Sequence, residues 1–302
     1  MSQAISVTTG TAYGIERVCR VWEQARSTFY ARQQQAEQPV APLPRRRGPR
    51  PLIPDDVLLE HIRQDLANSP FRGEGHRKVW ARLRFGQGLR VSRKRVLRLM
   101  REHHLLSPYR TPQGEPKLHD GSISTGAPNL MWGTDGAKVF TLEDGWVWAF
   151  VAVEHWNAEC VGWHVSKRGD RFAAVEPISQ GLTNLFGSVA ADVARGLSLR
   201  MDHGSQYLSD HFVNQVRFWG LTPSFAFVAE PETNGVAERF IRTLKEQAIY
   251  GQAFRRVAEV RAAVADFVQR YNEHWRVEKN RFLSPKQARE NWLATATLRV
   301  AA

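Results

Sequence analysis

Residues 130–166 constrain the fold more than any other part of the chain. The segments 130–142 and 145–156 are rich in aromatic and β-branched residues, and the short stretch 143–145 (EDG) between them is typical of a hairpin turn. A third segment of the same character follows at 158–166. These runs predict three consecutive antiparallel strands, the first three strands of a sheet.

Helix and strand patterns alternate after these three strands. Helices are predicted at 171–186, at 209–220 and from about Asn234, and short strands at 197–201 and 222–227. The whole order predicts an α/β fold with a mixed five-stranded sheet and helices on its faces. This order of elements resembles the ribonuclease H-like fold.

The front of the chain is helical instead, and two Pro-containing polar stretches divide it. The predicted regions, in order, are a helix-turn-helix-like segment 1–36, a basic Pro/Arg linker 37–54, an all-α helix-turn-helix DNA-binding domain 55–106, a second linker 107–127, and a catalytic core with a helical tail at 128–295.

The last helix of the second region carries three cations at its start. Ser92 is expected to cap this helix, and Arg93, Lys94 and Arg95 occupy its first turn. In a helix-turn-helix these positions point into the major groove of DNA, whereas the alternative is a solvated charged face. Because the helix dipole disfavours cations there, a DNA-binding role is the preferred interpretation.

The charge distribution supports the same interpretation. The chain has a net charge of +12, and residues 1–128 hold 22 of its 42 basic but only 11 of its 30 acidic residues. This asymmetry favours a polyanionic partner, most simply double-stranded DNA, over a basic surface that serves only solubility. No apolar run of membrane-spanning length and no secretory signal pattern is present, and Cys19 and Cys160 are too few for a disulfide framework. We therefore expect a cytoplasmic protein without a membrane partner.

Three acids fall at positions that are meaningful for such a sheet. Asp135 lies in the first strand, Asp202 directly follows the fourth, and Glu238 lies in the last predicted helix, 35 residues beyond Asp202. A lone Asp202 would be explained as a turn or cap residue. The second and third acids lie in the stretches DHGSQYLSDHF and PETNGVAERFIRTLK. These stretches and their spacing resemble the D-D-35-E signature of retroviral integrases and OrfB-type ("IS-three" family) insertion-sequence transposases.

The chemistry of these residue types agrees with that resemblance. Carboxylates are hard oxygen ligands that suit Mg²⁺ or Mn²⁺, and packed together without a metal they would repel one another. On the last helix the apolar positions form one face, while Glu238, Arg242 and Lys245 share another. Arg242 and Lys245 are therefore candidates for binding DNA phosphates beside the acids.

The resemblance implies a DNA transposase in which Asp135, Asp202 and Glu238 hold two Mg²⁺ or Mn²⁺ ions and no organic cofactor takes part. It implies cleavage at element ends and strand transfer into target DNA (DNA integration and recombination), by a homo-oligomer that acts with or without an upstream-frame product. The alternatives are a non-catalytic DNA-binding regulator and a structure-specific nuclease of the same fold. The tail departs from the family pattern, because Trp275 stands where the family usually has Arg.

Overall fold

The protein is described by a computed structural model that covers residues 3–37, 52–107, 125–225 and 234–300. Its chain forms two compact units, residues 1–52 and 53–302. The predicted linkers 37–54 and 107–127 lie mostly outside the described residues. None of the helices in the described ranges combines the length and apolar character that a bilayer crossing needs.

The first unit contains two short helices, α1 (Ile15–Val21) and α2 (Arg26–Glu37). A single antiparallel bridge between Ile5 and Ala12 precedes them. Cys19 is the buried residue of α1. The helix-turn-helix-like character of segment 1–36 stays a prediction.

The second unit begins with three helices, α3 (Asp55–Asn68), α4 (His76–Ala81) and α5 (Arg93–Glu102), and α4 continues into a π-helical turn, Arg82–Gly86. Their apolar stripes meet in one cluster made of Leu58, Ile62, Val79, Leu83, Val96, Leu99 and Met100. The hydroxyl of Ser92 accepts a hydrogen bond from the backbone N–H of Arg95 at 3.3 Å, which confirms the predicted cap of α5.

A polar network also joins these helices. The guanidinium of Arg82 donates two hydrogen bonds to the carboxylate of Asp65, from Nε at 2.9 Å and from Nη2 at 2.7 Å, and its Nη1 lies 2.5 Å from Glu74. Both carboxylates are buried, and Arg82 itself is largely buried. Arg82 therefore pairs with two buried acids, with Lys78 3.5 Å from Glu74 as a second cation, and ties α3 to the end of α4.

The five predicted strands form one mixed sheet. They are β1 (Met131–Thr141), β2 (Gly145–Glu154), β3 (Cys160–Ser166), β4 (Ser198–Met201) and β5 (Thr222–Phe225), in the spatial order β3-β2-β1-β4-β5. The pairs β1/β2 and β2/β3 are antiparallel, whereas β4 is parallel to both β1 and β5. The predicted fold class is confirmed.

Helices cover both faces of this sheet. They are α6 (Arg171–Phe186), α7 (Ser205–Leu208), α8 (Asp210–Phe218), α9 (Gly235–Leu244, continued by a π-helical turn Lys245–Ile249), α10 (Val257–His274) and α11 (Pro285–Val300). Alternate residues of β2 serve the two cores: Phe150 and Ala152 pack with α6 and α8, whereas Ala149 and Val151 pack with α9 and α10. Burial on both faces explains why β2 reads as a continuous apolar run rather than as an alternating one.

Candidate active site

The pairing of β1 with β4 brings two of the predicted acids together. In the three parallel pairs from Met131↔Ser198 to Gly133↔Arg200, each residue of β4 lies 67 positions after its partner. Asp202 also lies 67 positions after Asp135, so the same register, extended by two residues, sets these acids side by side where β4 ends. Neighbouring strands are about 4.8 Å apart, which is within reach of a shared cation.

The helix that carries the third acid is held against the same strand. The amide Nδ2 of Asn234 donates a hydrogen bond to the backbone oxygen of Thr134 at 3.0 Å, next to Asp135. A Cβ at Gly133 would stand 2.7 Å from the Asn234 side-chain oxygen and 3.3 Å from Ala237, so only glycine admits the helix at this distance. Glu238 lies in the first turn of this helix, α9.

Asn234 stands at the start of the predicted last helix, where its residue type favours a helix cap. The structure gives it a different contact, because its side chain makes no capping bond and reaches across to β1. The sequence signal was its place in the motif around Glu238. That motif could not show which backbone group the amide contacts.

The three acids differ in exposure and in their local bonds. Asp135 is half-buried and accepts a hydrogen bond from the N–H of Gly136 at 2.7 Å. Asp202 is exposed and accepts one from the N–H of Gly204 at 2.9 Å, so it does form the turn that its residue type predicts. Glu238 is exposed at the start of α9, where the helix dipole favours a carboxylate. The turn and the candidate catalytic role of Asp202 are therefore compatible.

The electrostatics indicate that the three carboxylates act on one another. Burial, above all, raises the pKa of Asp135 to about 6, and the negative charges of Asp202 and Glu238 raise it further, against the Gly136 hydrogen bond and the charge of Lys245. Burial also raises the pKa of Tyr207, and the charges of Asp135 and Asp202 add to that effect. Negative charge is thus concentrated at this edge of the sheet, as a cation site requires.

The residue types at this edge suit a divalent cation, although their side chains do not converge on one point. Within the described ranges, no three His, Cys, Asp or Glu side chains stand close enough to hold one ion between them. The donors at this edge are nevertheless carboxylate oxygens, which Mg²⁺ and Mn²⁺ prefer. Asp202 and Glu238 are exposed.

Replacing Asp135 is expected to stabilise the metal-free protein. Because its folded pKa of about 6 lies above the ordinary value of 3.8, its stabilising contribution is complete below pH 4 and is lost as the pH rises through 6. Asp135→Asn should therefore raise the free energy of unfolding at pH 7 by up to about 3 kcal/mol and leave it unchanged below pH 4. Denaturant unfolding in chelator at both pH values measures this, with Asp210→Asn as the exposed control. A loss of stability at pH 7 would contradict the raised pKa of Asp135.

The predicted DNA-binding residues of α5 differ in what they contact. Lys94 is exposed, and Arg93 pairs with Glu278 at 3.3 Å. Arg95 is half-buried, with its Nε bonded to Asp55 at 2.7 Å and its Nη2 bonded to a backbone oxygen of residue 53. The DNA contact of Arg95 stays a prediction, and these bonds favour a structural role that ties α5 to the start of α3.

The two basic residues near Glu238 lie at the end of α9 and just beyond it. Arg242 is exposed and pairs with Glu246 one turn later, at 2.9 Å. Lys245 is half-buried in the π-helical turn that follows α9, and its charge lowers the pKa of Asp135. Phosphate binding by these two residues stays a prediction.

Trp275, where the tail departs from the family pattern, makes contacts with three side chains. Trp275 packs edge-on against Phe71 with ring centroids 4.8 Å apart, stacks on Tyr271 at 5.7 Å, and lies under the ammonium group of Lys78. Phe71 and Lys78 belong to the helix-turn-helix domain, whereas Tyr271 belongs to α10 of the core. The large aromatic residue at position 275 therefore joins the two parts of the second unit.

Known proteins resemble this chain in both of its main parts. A family model for an integrase core domain matches residues 220–276, and one for an HTH-like domain matches residues 55–113. The transposase of insertion sequence element IS629 from Shigella sonnei is 26% identical over 293 residues, 94% of each chain. The chain is thus similar to an insertion-sequence transposase along nearly its whole length. Transposase InsD of IS2 from Escherichia coli is 30% identical over 205 residues, 64% of this chain and 65% of that one.

Two integrases are among the solved structures that resemble this chain. A chain of the simian T-cell lymphotropic virus intasome, solved in complex with PP2A regulatory subunit B56 gamma, has a TM-score of 0.45 and 16% identity, covering 69% of this chain and 73% of that one. The HTLV-2 integrase catalytic core domain in complex with magnesium has a TM-score of 0.41 and 14% identity, covering 54% and 97%.

Proposed function

We propose that this chain is a transposase that cleaves DNA at the ends of its insertion element and joins the freed 3′ ends to target DNA, with Asp135, Asp202 and Glu238 as the residues that hold divalent cations. The observation that carries the proposal is the shared register of Asp135 and Asp202, next to the strand contact that anchors the helix of Glu238. Its partners are double-stranded DNA, as terminal repeats and as target, and further copies of this chain.

The residues of the chain have distinct tasks in this reaction. Asp135 must be ionised to act as a ligand, and because its pKa is raised to about 6, a bound cation would favour the ionised form and lower that pKa. Lys245 and Arg242 bind the phosphate that lies over the acids. Mg²⁺ or Mn²⁺, when bound, supplies activation of the attacking water or 3′-hydroxyl and stabilisation of the leaving oxygen. Arg93 and Lys94 bind the DNA backbone or its bases farther from the reacting bond.

The two alternatives are not favoured. A regulator that only binds DNA would not need all three acids, and the chain retains each of them. A simple nuclease of this fold would not need a helix-turn-helix domain, which matches residues 55–113 here. Both features together are what a transposase requires.

Metal removal tests the proposed chemistry. We expect purified protein to nick a duplex that carries the inverted repeats flanking its gene when Mg²⁺ or Mn²⁺ is present, and to lose all detectable nicking in EDTA, because carboxylates alone cannot activate water. Binding of the same duplex in EDTA serves as the control and should persist. Undiminished nicking in chelator would contradict the metal mechanism.

A further inference from the structure

A segment of the tail occupies the basic face of the helix-turn-helix domain. The carboxylate of Glu278 lies between two guanidinium groups, with Oε2 at 2.7 Å from Nη1 of Arg77 and Oε1 at 3.3 Å from Nη1 of Arg93. Arg77 belongs to α4 and Arg93 to the first turn of α5. The two arginines thus converge on a single anion although they come from different helices.

The ring contacts of the tail extend the same attachment. The ring of Phe282 packs against Trp80 at 5.6 Å and against Phe85 at 6.4 Å, and the guanidinium of Arg93 lies over the Trp80 ring at 5.4 Å. Residues 278–282 therefore cover the domain with one carboxylate and one aromatic ring. Phe85 stays an exposed apolar side chain even with this contact.

Positive charge exceeds negative charge around Glu278. Burial lowers the pKa of His76, and the positive charges of Arg77, Arg93 and Arg101 lower it further against the single opposing charge of Glu278. One carboxylate that faces several guanidiniums leaves the face cationic. Such a face binds a row of phosphates, which carries more negative charge, better than it binds one side chain.

We propose that Arg77 and Arg93 form a phosphate-binding pair for the DNA backbone, and that Glu278 occupies this pair in the DNA-free protein, so that DNA must displace the tail in order to bind. The proposal rests on the proposed DNA-binding function of this domain. It adds Arg77 to the DNA-binding surface and gives the tail an autoinhibitory role.

The geometry of the contact suits a displaceable inhibitor. The side chains of Arg77, Arg93 and Glu278 are 61%, 50% and 48% exposed, and ion pairs this exposed are weak and sensitive to salt. The loop that presents Phe282 also places two successive non-glycine residues, Arg281 and Phe282, in left-handed backbone at φ of 55° and 65°. Release of the loop relieves that unfavourable conformation.

Binding of a mixed-sequence duplex, followed by fluorescence anisotropy in EDTA, tests the proposal on the full chain. Glu278→Gln should lower the Kd about fivefold, the scale expected from two exposed ion pairs. Glu273→Gln makes the same change of charge at a residue that pairs with Lys286, and it should change the Kd less than about twofold. Arg77→Gln combined with Glu278→Gln should return the affinity to the wild-type level.

Thermal melting shows that each variant is folded before its Kd is compared. An unchanged Kd for Glu278→Gln, or an equal gain for Glu273→Gln, would overturn the proposal. Binding to this duplex needs neither a metal nor cleavage, so failure of the proposed catalytic chemistry leaves the result interpretable. Conversely, a chain that nicks element ends but shows no effect of Glu278 refutes only the inhibitory contact.

Discussion

Asp202→Asn is expected to lower DNA nicking and strand transfer by at least about a hundredfold while the protein still folds and binds DNA. Asparagine keeps the side-chain oxygen that accepts the Gly204 N–H, so the turn after β4 persists. It removes one negative charge and one anionic oxygen next to Asp135, so a cation at this edge is held less tightly. Single-turnover strand transfer, duplex binding and thermal melting on the same preparation separate these effects.

The matched control for this experiment is Asp210→Asn. Asp210 is exposed in the first turn of α8, eight residues further along the chain, and the substitution is chemically the same. Wild-type strand transfer by Asp202→Asn, or an equal loss in both variants, would contradict the assignment of Asp202.

Asp144, in the turn between β1 and β2, would be a poor control. Its two carboxylate oxygens accept hydrogen bonds from Lys167 Nζ at 2.7 Å and from the N–H of Val257 at 2.8 Å. These bonds link the β1–β2 hairpin to the end of β3 and to the start of α10, so a substitution there would disturb long-range contacts.

Arg82→Met is expected to destabilise the protein more than any surface substitution in the helix-turn-helix domain. It would leave Asp65 buried without the guanidinium that neutralises it and Glu74 with Lys78 as its remaining cation, and uncompensated buried charge costs about 3–5 kcal/mol. Denaturant unfolding at pH 7 measures the change, and duplex binding should weaken in parallel because α3 and α4 lose their link.

Arg90→Met is the control for the loss of a positive charge and lies exposed a few residues later. It should change the free energy of unfolding by no more than about 0.5 kcal/mol. Partial recovery of stability on adding Asp65→Asn to Arg82→Met would identify the unpaired carboxylate as the cause. A change below about 1 kcal/mol for Arg82→Met would show that the buried acids do not depend on it.

The sheet could be predicted from the sequence because it depends on local patterns. Apolar runs fix strands, and a hairpin signal fixes the β1–β2 pair. The roles of Asp135, Asp202 and Glu238 follow from the motif resemblance and stay a prediction. The register that aligns Asp135 with Asp202 follows from the pairing of β1 with β4. The sequence of one strand alone does not show this register.

Long-range polar contacts could not be predicted in the same way. Arg95 and Arg93 have the same residue type and share a helix turn, yet one bonds to Asp55 of α3 and the other to Glu278 of the tail. Charge pattern along a helix shows which residues are basic but not which partner the fold brings to them. The same is true of Asn234, whose amide contact with β1 depends on how α9 packs on the sheet.

Cation binding by the DNA-free protein tests the central claim most directly. Electron paramagnetic resonance counts free Mn²⁺ during a titration of wild-type protein and of Asp135→Asn combined with Asp202→Asn. The account predicts Mn²⁺ binding by the wild type that Mg²⁺ displaces, and an affinity at least about tenfold weaker in the double variant, the scale on which even supporting groups of a metal site act. Equal Mn²⁺ binding by both proteins would contradict it.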